Sequence, residues 1–439
     1  GAPIYYPAAN TGWGRVLGPP PTAENVSARV IGQTNEAVVV NSVSFVDMPY
    51  RMAGEQPESF GQYLLQAISR GARPSTYIMG APGRIPYANL TRVASDVTRF
   101  YRDHRDLYGA LRPAATVGLV RRDLPRYGAD RFADVVPELR GVYSALQEGN
   151  VPFDTLSVTD LAAIEERGEL DRYDLLILPN LGGIPDRAAA ALDAFADRGG
   201  RVLLTGDSAV TEEGVVQLAH APALMGSGAP LRGESLWSTY VATQAQPDLG
   251  QYRYRDSILP IYGAYYPLVW RPDAVFSANV LPQAPFGPPE KCYGHVLGGD
   301  PGHVRSADGS VTLIPWTIGT TYHEFGITDV RDHLLAIVRE LASQPVVVDA
   351  PEQVDVSVAR AGESLVVHLI NQSGVRRRSV GTAIAIEGVR MRLPGVPGAR
   401  VRALVAGRDL TVEADGDATV VDVPRLGDFE VLVVESVGV

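Results

Sequence analysis

"YDLLILPNLGGIPDRAAAALDAFADRGGRVLLTGDSAV", residues 173–210, decides the fold of the region around it. Two short runs within it, "DLLILP" and "RVLL", are apolar on both faces after their first residue, so neither suits a strand with one face in water. Between them, "DRAAAALDAFADRGG" spaces its apolar residues as a helix and stops on paired glycines. A strand, helix and strand of this kind belong to a parallel sheet with helices on both sides. The second strand runs into a sharp turn at Gly206, Asp207 and Ser208, and a further helix is expected beyond it.

The same alternation extends in both directions. Upstream lie the strand "ATVGLV", a helix over 131–149 with Phe132, Val135, Val136, Leu139, Val142 and Leu146 on one face, the strand "FDTLSV" and the short helix "DLAAIEERG". Downstream, residues 231–310 are rich in Tyr, Pro and Gly and read as an irregular or antiparallel insertion. A last unit follows, the strand "SVTLIPW" and the helix "DVRDHLLAIVRELAS". From Pro345 the pattern changes to alternating runs ("VDVSVAR", "SLVVHLIN", "TAIAIEGV", "RVRALVAG", "ATVVDV", "FEVLVVES") separated by turn residues, which predicts an antiparallel β-sandwich. At the other end, "PIYYPA", "AVVVNSVSFVD" and "PSTYIMG" read as strands, with helices at "PESFGQYLLQAISRGA" and "NLTRVASDVTRFYRDHRDLYG". That is about the last three βα pairs of an eightfold barrel, which as a whole takes ~250 residues. The expected fold is therefore α/β in three parts: a partial (β/α)8 barrel over 1–110, a parallel-sheet domain over 111–345 with its insertion at 231–310, and a β-sandwich over 346–439.

The 439 residues carry 50 acidic and 39 basic side chains, a net charge of −11, which argues against nucleic acid or an anionic membrane as partner. No stretch of about 18 apolar residues occurs, and the first residues lack the basic and apolar segments of a signal peptide. The single cysteine, Cys292, excludes an internal disulfide framework and favours a reducing, cytoplasmic setting. The abrupt start on "PIYYPA" leads us to expect further chain upstream.

The parallel-sheet domain is similar to class I glutamine amidotransferases, whose sheet carries a Gly-x-Cys-x-Gly nucleophile at the turn occupied here by "TGDSA". There the exposed turn and the helix N-terminus lower the thiol pKa. Asp207 cannot attack as a thiolate, and Ser208 has no neighbouring histidine to act as its base. The elbow is expected to be empty, with Asp207 and Ser208 capping the next helix and the domain serving as a scaffold. Cys292 and His295 form a Cys-x-x-His pair, a weak signal for an amidase.

The order of the three parts resembles the family 42 β-galactosidases and their relatives that carry a β-galactosidase trimerisation domain. The likeness rests on "FGQYLLQAISRGARPSTYIMG", "DVTRFYRDHRDLYGALRPAATVGLVRR", "GVYSALQEGNVPFDTL", the opening stretch and "IPWTIGTTYHEFG", and covers most of residues 40–345. It implies retaining hydrolysis by two carboxylates, an acid/base after barrel strand 4 and a nucleophile after strand 7, about 5 Å apart across the glycosidic bond. The first half of the barrel, with the acid/base, is absent from this sequence, and Asp47 rather than a glutamate ends the strand matching strand 7. Asp47 becomes the candidate nucleophile or charge stabiliser, with Arg51 close enough in sequence to hold it ionised. Glu55 is a second carboxylate in the same loop. The plainer reading has Asp47 ending a strand and Glu55 solvated.

Trp13, Tyr50, Arg51 and Arg84 follow predicted barrel strands, where barrel sites are built, and are the expected sugar contacts; each also reads as a packing or rim residue. Glu290 and His295, in "PPEKCYGH", are expected to reach over the barrel mouth of their own or a neighbouring subunit, or else to lie in an ordinary loop. Tyr322 and His323 are expected to line the same crevice. His295, His303 and His323 lack metal-ligand spacing, so no metal and no cofactor are expected. The reading is a glycoside hydrolase-like protein acting on a carbohydrate, with its catalytic barrel half upstream or on a partner chain. A homo-oligomer, a trimer among the options, is expected through the scaffold domain. The rivals are a non-catalytic carbohydrate-binding or assembly subunit and an amidase using Cys292.

Overall fold

The structure is a computed structural model that describes residues 4–5, 20–32, 37–80, 84, 88–122, 129–243, 258–284, 294–376 and 380–435. It has two compact units, one made of Gly1–Ala115, Asn150–Thr155 and Gln344–Val439, the other of Thr116–Gly149 and Leu156–Ser343.

The first unit opens with three parallel strands, β1 (Ile4–Tyr5), β2 (Ala37–Val43) and β3 (Arg73–Tyr77), paired in that order. Helix α1 (Pro20–Gly32) lies between β1 and β2 in the chain, α2 (Pro57–Ser69) between β2 and β3, and α3 (Ala88–Asp103) and α4 (Arg105–Ala110) follow. Sequence reading missed α1, although its proline start suits a first helical turn. The single helix expected over 89–109 is broken at His104 into α3 and α4. Helix α2 is buried from Ser59 to Ser69. Tyr63 and Ala67 pack with Val26, Val38 and Val40 near the small sheet. Phe60, Leu64, Leu65 and Ile68 pack with Val366, Ile370 and Val431 of the C-terminal strands.

Those strands form a six-stranded sheet, ordered Arg408–Leu410, Arg400–Ala403, Phe429–Glu435, Ser364–Asn371, Val354–Ala361 and Leu111–Pro113, and a four-stranded sheet made of Val347–Asp349, Arg390–Leu393, Ala418–Asp422 and Val412–Asp415. "SLVVHLIN" is buried over Leu365–Asn371 because both of its faces are covered. Leu365, Val367 and Leu369 join a core with Met391, Leu393 and Val421 of the smaller sheet, while the alternate residues Val366 and Ile370 meet α2. "TAIAIEGV" is not a strand: Ile384 is exposed, and Ile386 makes only an isolated bridge to Leu426. Where the helices meet the sandwich, Arg70 pairs with Asp355 at 2.9 Å with both side chains buried. Gln62 donates to the Asn371 carbonyl there, and Tyr108 shares a hydrogen bond of 3.1 Å with His368.

The second unit is built on β4 (Val117–Arg121), β6 (Leu175–Pro179), β7 (Arg201–Thr205), β8 (Val311–Ile314) and the end of β5 (Phe153–Ser157), whose first three residues count with the first unit; the spatial order is β5-β4-β6-β7-β8. This is the doubly wound order whose ligands bind outside the carboxyl ends of the strands, at the point where the order reverses. All five strands lie where the apolar runs predict them. Helix α5 (Ala129–Glu148) packs with α8 (Ile318–Phe325) and α9 (Thr328–Leu341), and α6 (Leu161–Glu166) packs with α7 (Asp186–Asp197). The α5–α8 contact needs two glycines: a Cβ on Gly141 would sit 1.7 Å from the Gly319 carbonyl oxygen, and one on Gly319 would sit 2.4 Å from that of Glu138. Beside them the buried Glu138 carboxylate accepts hydrogen bonds from Thr205 Oγ1 (2.6 Å), Thr320 N (2.6 Å) and Thr320 Oγ1 (3.0 Å).

One expectation fails here. No helix follows β7, and the chain turns at once into bridges and short strands, so the irregular segment begins near residue 209 rather than 231. It then extends the sheet past β8 with antiparallel strands Pro301–Arg305, Val275–Leu281, Tyr240–Ala242 and Ile258–Pro260. No helix among the described residues is long and apolar enough to cross a membrane.

Candidate functional site

Each unit presents the carboxyl end of a parallel sheet, and each end carries polar chemistry. In the first unit, the chain leaving β2 folds into a hairpin. Ser44 N donates to the Tyr77 carbonyl (2.9 Å), Val46 N to that of Ala53 (3.0 Å) and Glu55 N to that of Ser44 (3.0 Å), while Phe45 bridges Gly54. Asp47 is half-buried in the loop, where its carbonyl accepts the Tyr50 N–H at 2.8 Å. Tyr50 and Arg51 are exposed at the tip, and the Arg51 guanidinium carbon lies 5.9 Å from the centre of the Phe45 ring. Glu55 occupies the base of the hairpin and is only 6% exposed, so the solvated carboxylate of the plainer reading is not what the fold contains. Its Oε1 accepts the Gln56 N–H at 2.8 Å, just ahead of the N-terminus of α2, where a negative charge is favoured. Arg84 is exposed beyond β3.

The other expected site residues belong to the second unit or lie outside the described residues. Trp13, Glu290 and Cys292 are outside them. His295 is half-buried, its Nε2 2.7 Å from the Ser238 carbonyl oxygen and its ring edge-on to Tyr240. Tyr322 is buried on α8 and donates its hydroxyl to Glu148, while His323 on the same helix is exposed.

At the carboxyl edge of the second sheet, the elbow after β7 is fixed by structural bonds. Ser208 is 1% exposed; its Oγ donates to the Leu178 carbonyl (2.7 Å) and accepts the Leu181 N–H (2.9 Å). It ties β7 to the end of β6 and caps no helix. Asp207 pairs with Arg131 at 2.6 Å, and its N–H donates to Asn180 Oδ1 at 3.1 Å. Burial raises the Asp207 carboxyl above its ordinary pKa, and the Arg131 guanidinium opposes that shift. Gly206 has φ +60°, and a Cβ there would lie 2.0 Å from Asn180 Oδ1.

Next to this cluster is a pocket of about 330 Å³, with Asp134, Asn180, Arg232, Trp237, Tyr262 and Glu324 in its lining. Arg232 bridges Asp134 (2.8 Å) and the Tyr266 hydroxyl (3.0 Å). Sequence reading found none of these six. Asn180 ends a recognised strand and Asp134 lies on a recognised helix, but Arg232, Trp237 and Tyr262 sit in the aromatic-rich segment that offered no periodicity to place them. Among the described residues, no group of three His, Cys, Asp or Glu side chains is placed to hold a metal ion.

No protein-family model matches the chain, and no curated protein matches it. Solved structures do. An alpha-L-fucosidase isoenzyme 2 from Paenibacillus thiaminolyticus matches 100% of this chain with a TM-score of 0.75 and 18% identity. A beta-galactosidase from Bacillus circulans sp. alkalophilus matches 99% with a TM-score of 0.64 and 12% identity. A family 42 β-galactosidase from G. stearothermophilus matches 99% with a TM-score of 0.62 and 15% identity. The fold is glycoside-hydrolase-like. The chain spans 65%, 59% and 59% of those three proteins, respectively.

Proposed function

We propose that this chain belongs to a carbohydrate-acting glycoside hydrolase that works by carboxylate chemistry at the carboxyl edge of the β1–β3 sheet. The β1–β3 segment is read as part of a (β/α)8 barrel, completed by chain upstream or by a partner chain. The doubly wound unit is read as its amidotransferase-like scaffold and oligomerisation domain.

The observation that carries this reading is Glu55, a carboxylate almost fully removed from water at the end of a parallel strand, with Asp47 in the same hairpin. Barrel enzymes build their sites at that end of their strands. A pair of carboxyl groups supplies either a nucleophile with an acid/base or a base with an acid, according to their separation. The names of the similar structures make β-galactosides and α-L-fucosides the substrates to test.

The experiment is nitrophenol release from p-nitrophenyl β-D-galactoside and α-L-fucoside by the natural assembly, comparing wild type with Glu55→Gln and Asp47→Asn. A loss of kcat of about 100-fold or more in one variant, with an unchanged melting temperature, is the expected result. Release unaffected by both substitutions, or no release from either glycoside, overturns the proposal.

A further inference from the structure

We propose that the pocket at the carboxyl edge of the doubly wound sheet is a second carbohydrate-binding site that takes a neutral mono- or disaccharide without turning it over. It uses no residue of the β2 hairpin and does not depend on hydrolysis there.

Size, shape and charge each bear on the ligand class. At about 330 Å³ the pocket lies at the small end of small-molecule sites, which run from roughly 300 to 1,000 Å³. Two large aromatic side chains in its lining remain open to solvent, Trp237 at 48% and Tyr262 at 46% exposure. Tyr262 is held edge-on against Phe325, with ring centres 4.9 Å apart, so its ring is positioned by packing. Rings of this kind, apolar on the face and polar at the rim, suit the C–H face of a pyranose, whose hydroxyls point outward around it.

The polar lining is matched to such hydroxyls. Asp134 and Glu324 are acceptors and Arg232 is a donor, while the Asn180 amide beneath them is fully buried and bonded to Asp207 N and the Asp134 carbonyl. The Asp134–Arg232 ion pair of 2.8 Å fixes both groups and leaves carboxylate lone pairs and guanidinium protons for further bonds. Arg232 disfavours a cationic ligand, and the two carboxylates disfavour a phosphate or another anion. A neutral ligand rich in hydroxyls satisfies all of these groups at once. The position also follows from topology: the pocket lies past the end of β6 and beside the first turns of α5, at the carboxyl edge where doubly wound sheets bind ligands.

Calorimetric titration of the whole protein with D-galactose, L-fucose, D-glucose and maltose, none of them a β-galactoside or an α-L-fucoside, tests the inference, with inorganic phosphate and spermidine as charged controls. At least one sugar is expected to bind, to keep its affinity in Glu55→Gln, and to weaken about tenfold or more in Trp237→Ala, a loss of about 1.4 kcal/mol. Trp237→Phe, which keeps an aromatic face, is expected to restore most of the affinity. Sugar binding that survives Trp237→Ala overturns the inference, as does binding lost only in Glu55→Gln, binding of the charged controls in place of sugars, or no binding by any of the four. Because the readout is binding without turnover, an inactive hydrolytic site and an empty pocket give different results.

Discussion

Both units present the carboxyl end of a parallel sheet, and they finish it in opposite ways. Past β2, a hairpin tied to its neighbours by backbone hydrogen bonds leaves Tyr50, Arg51 and Met52 in solvent and a single carboxylate, Glu55, buried at its base. Past β7, the expected helix is replaced by a long antiparallel excursion that brings Arg232, Trp237 and Tyr262 to a pocket at the sheet edge. The difference teaches that a strand end acquires its chemistry from what covers it. The same parallel architecture supports an open rim with one protected acid in the first case and a polar pocket with a solvent-facing aromatic mouth in the second.

The sharpest way to break the comparison is to disturb the α5–α8 contact beside the pocket. Gly141→Ala places a methyl where the Gly319 carbonyl already stands, 1.7 Å from the new carbon, and both partners are backbone, so no side chain can swing aside. Helices α5 and α8 would have to part, stretching the hydrogen bonds that Thr205 and Thr320 donate to Glu138. A loss on the order of 4–5 kcal/mol is expected in chemical denaturation of the second unit, beyond the usual range for overpacking. A variant within about 1 kcal/mol of wild type would show that the helices cross with more room than this.

Much of the frame was legible in the sequence, because buried parallel strands and amphipathic helices write their own periods. "DLLILP" and "RVLL" became β6 and β7, and "PESFGQYLLQAIS" became α2. Expectation failed where tertiary context supplies the reason for a residue. Ser208 sits where a helix cap belongs, yet its hydroxyl bonds the end of the neighbouring strand. Glu55 looks like a solvated loop residue until the hairpin folds over it. "TAIAIEGV" alternates like a strand but has no partner strand, and Ile384 faces solvent. Trp237 and Tyr262 come together only through an insertion with no repeating period. Among the expected site residues, Asp47, Tyr50 and Arg51 share one hairpin with Glu55, whereas His295, Tyr322 and His323 belong to the other unit.

Titration offers a second test, because buried histidines respond to acid differently from exposed ones. In the first unit, burial and then the nearby Arg70 push His368 down to about 3. Its folded pKa lies below the unfolded value near 6.5, so its contribution is present above pH 6.5 and is lost as pH falls toward 3. In the second unit, burial and then Arg305 and His333 bring His303 to about 4, which acts in the same direction. His220 acts in the other. Partial burial lowers it, but hydrogen bonds to Asp308 and Asp197 outweigh that and leave it raised. Its contribution is complete below pH 6.5 and disappears as pH rises through the folded value. Between pH 7 and 4, wild type is expected to lose roughly 3 kcal/mol more than His368→Gln, which has no proton to take up there. The check is melting by calorimetry across that range, and parallel pH curves for the two proteins would mean that His368 is not held neutral.

The smallest expected effect separates a scaffold from an abandoned nucleophile. Ser208→Ala removes one donor and one acceptor from a buried turn and leaves the Leu178 carbonyl and the Leu181 N–H short of a partner. The cost is about 1–2 kcal/mol in urea denaturation, in line with leaving buried backbone groups unpaired. Glycoside release and sugar binding are both expected to stay at wild-type values, since the hydroxyl is closed off from solvent and both of its hydrogen-bonding roles are in use. If Ser208 were instead a nucleophile, the pattern would invert: stability would hold while hydrolysis disappeared. That outcome would make the edge of the second sheet the reactive one and the β2 hairpin its bystander.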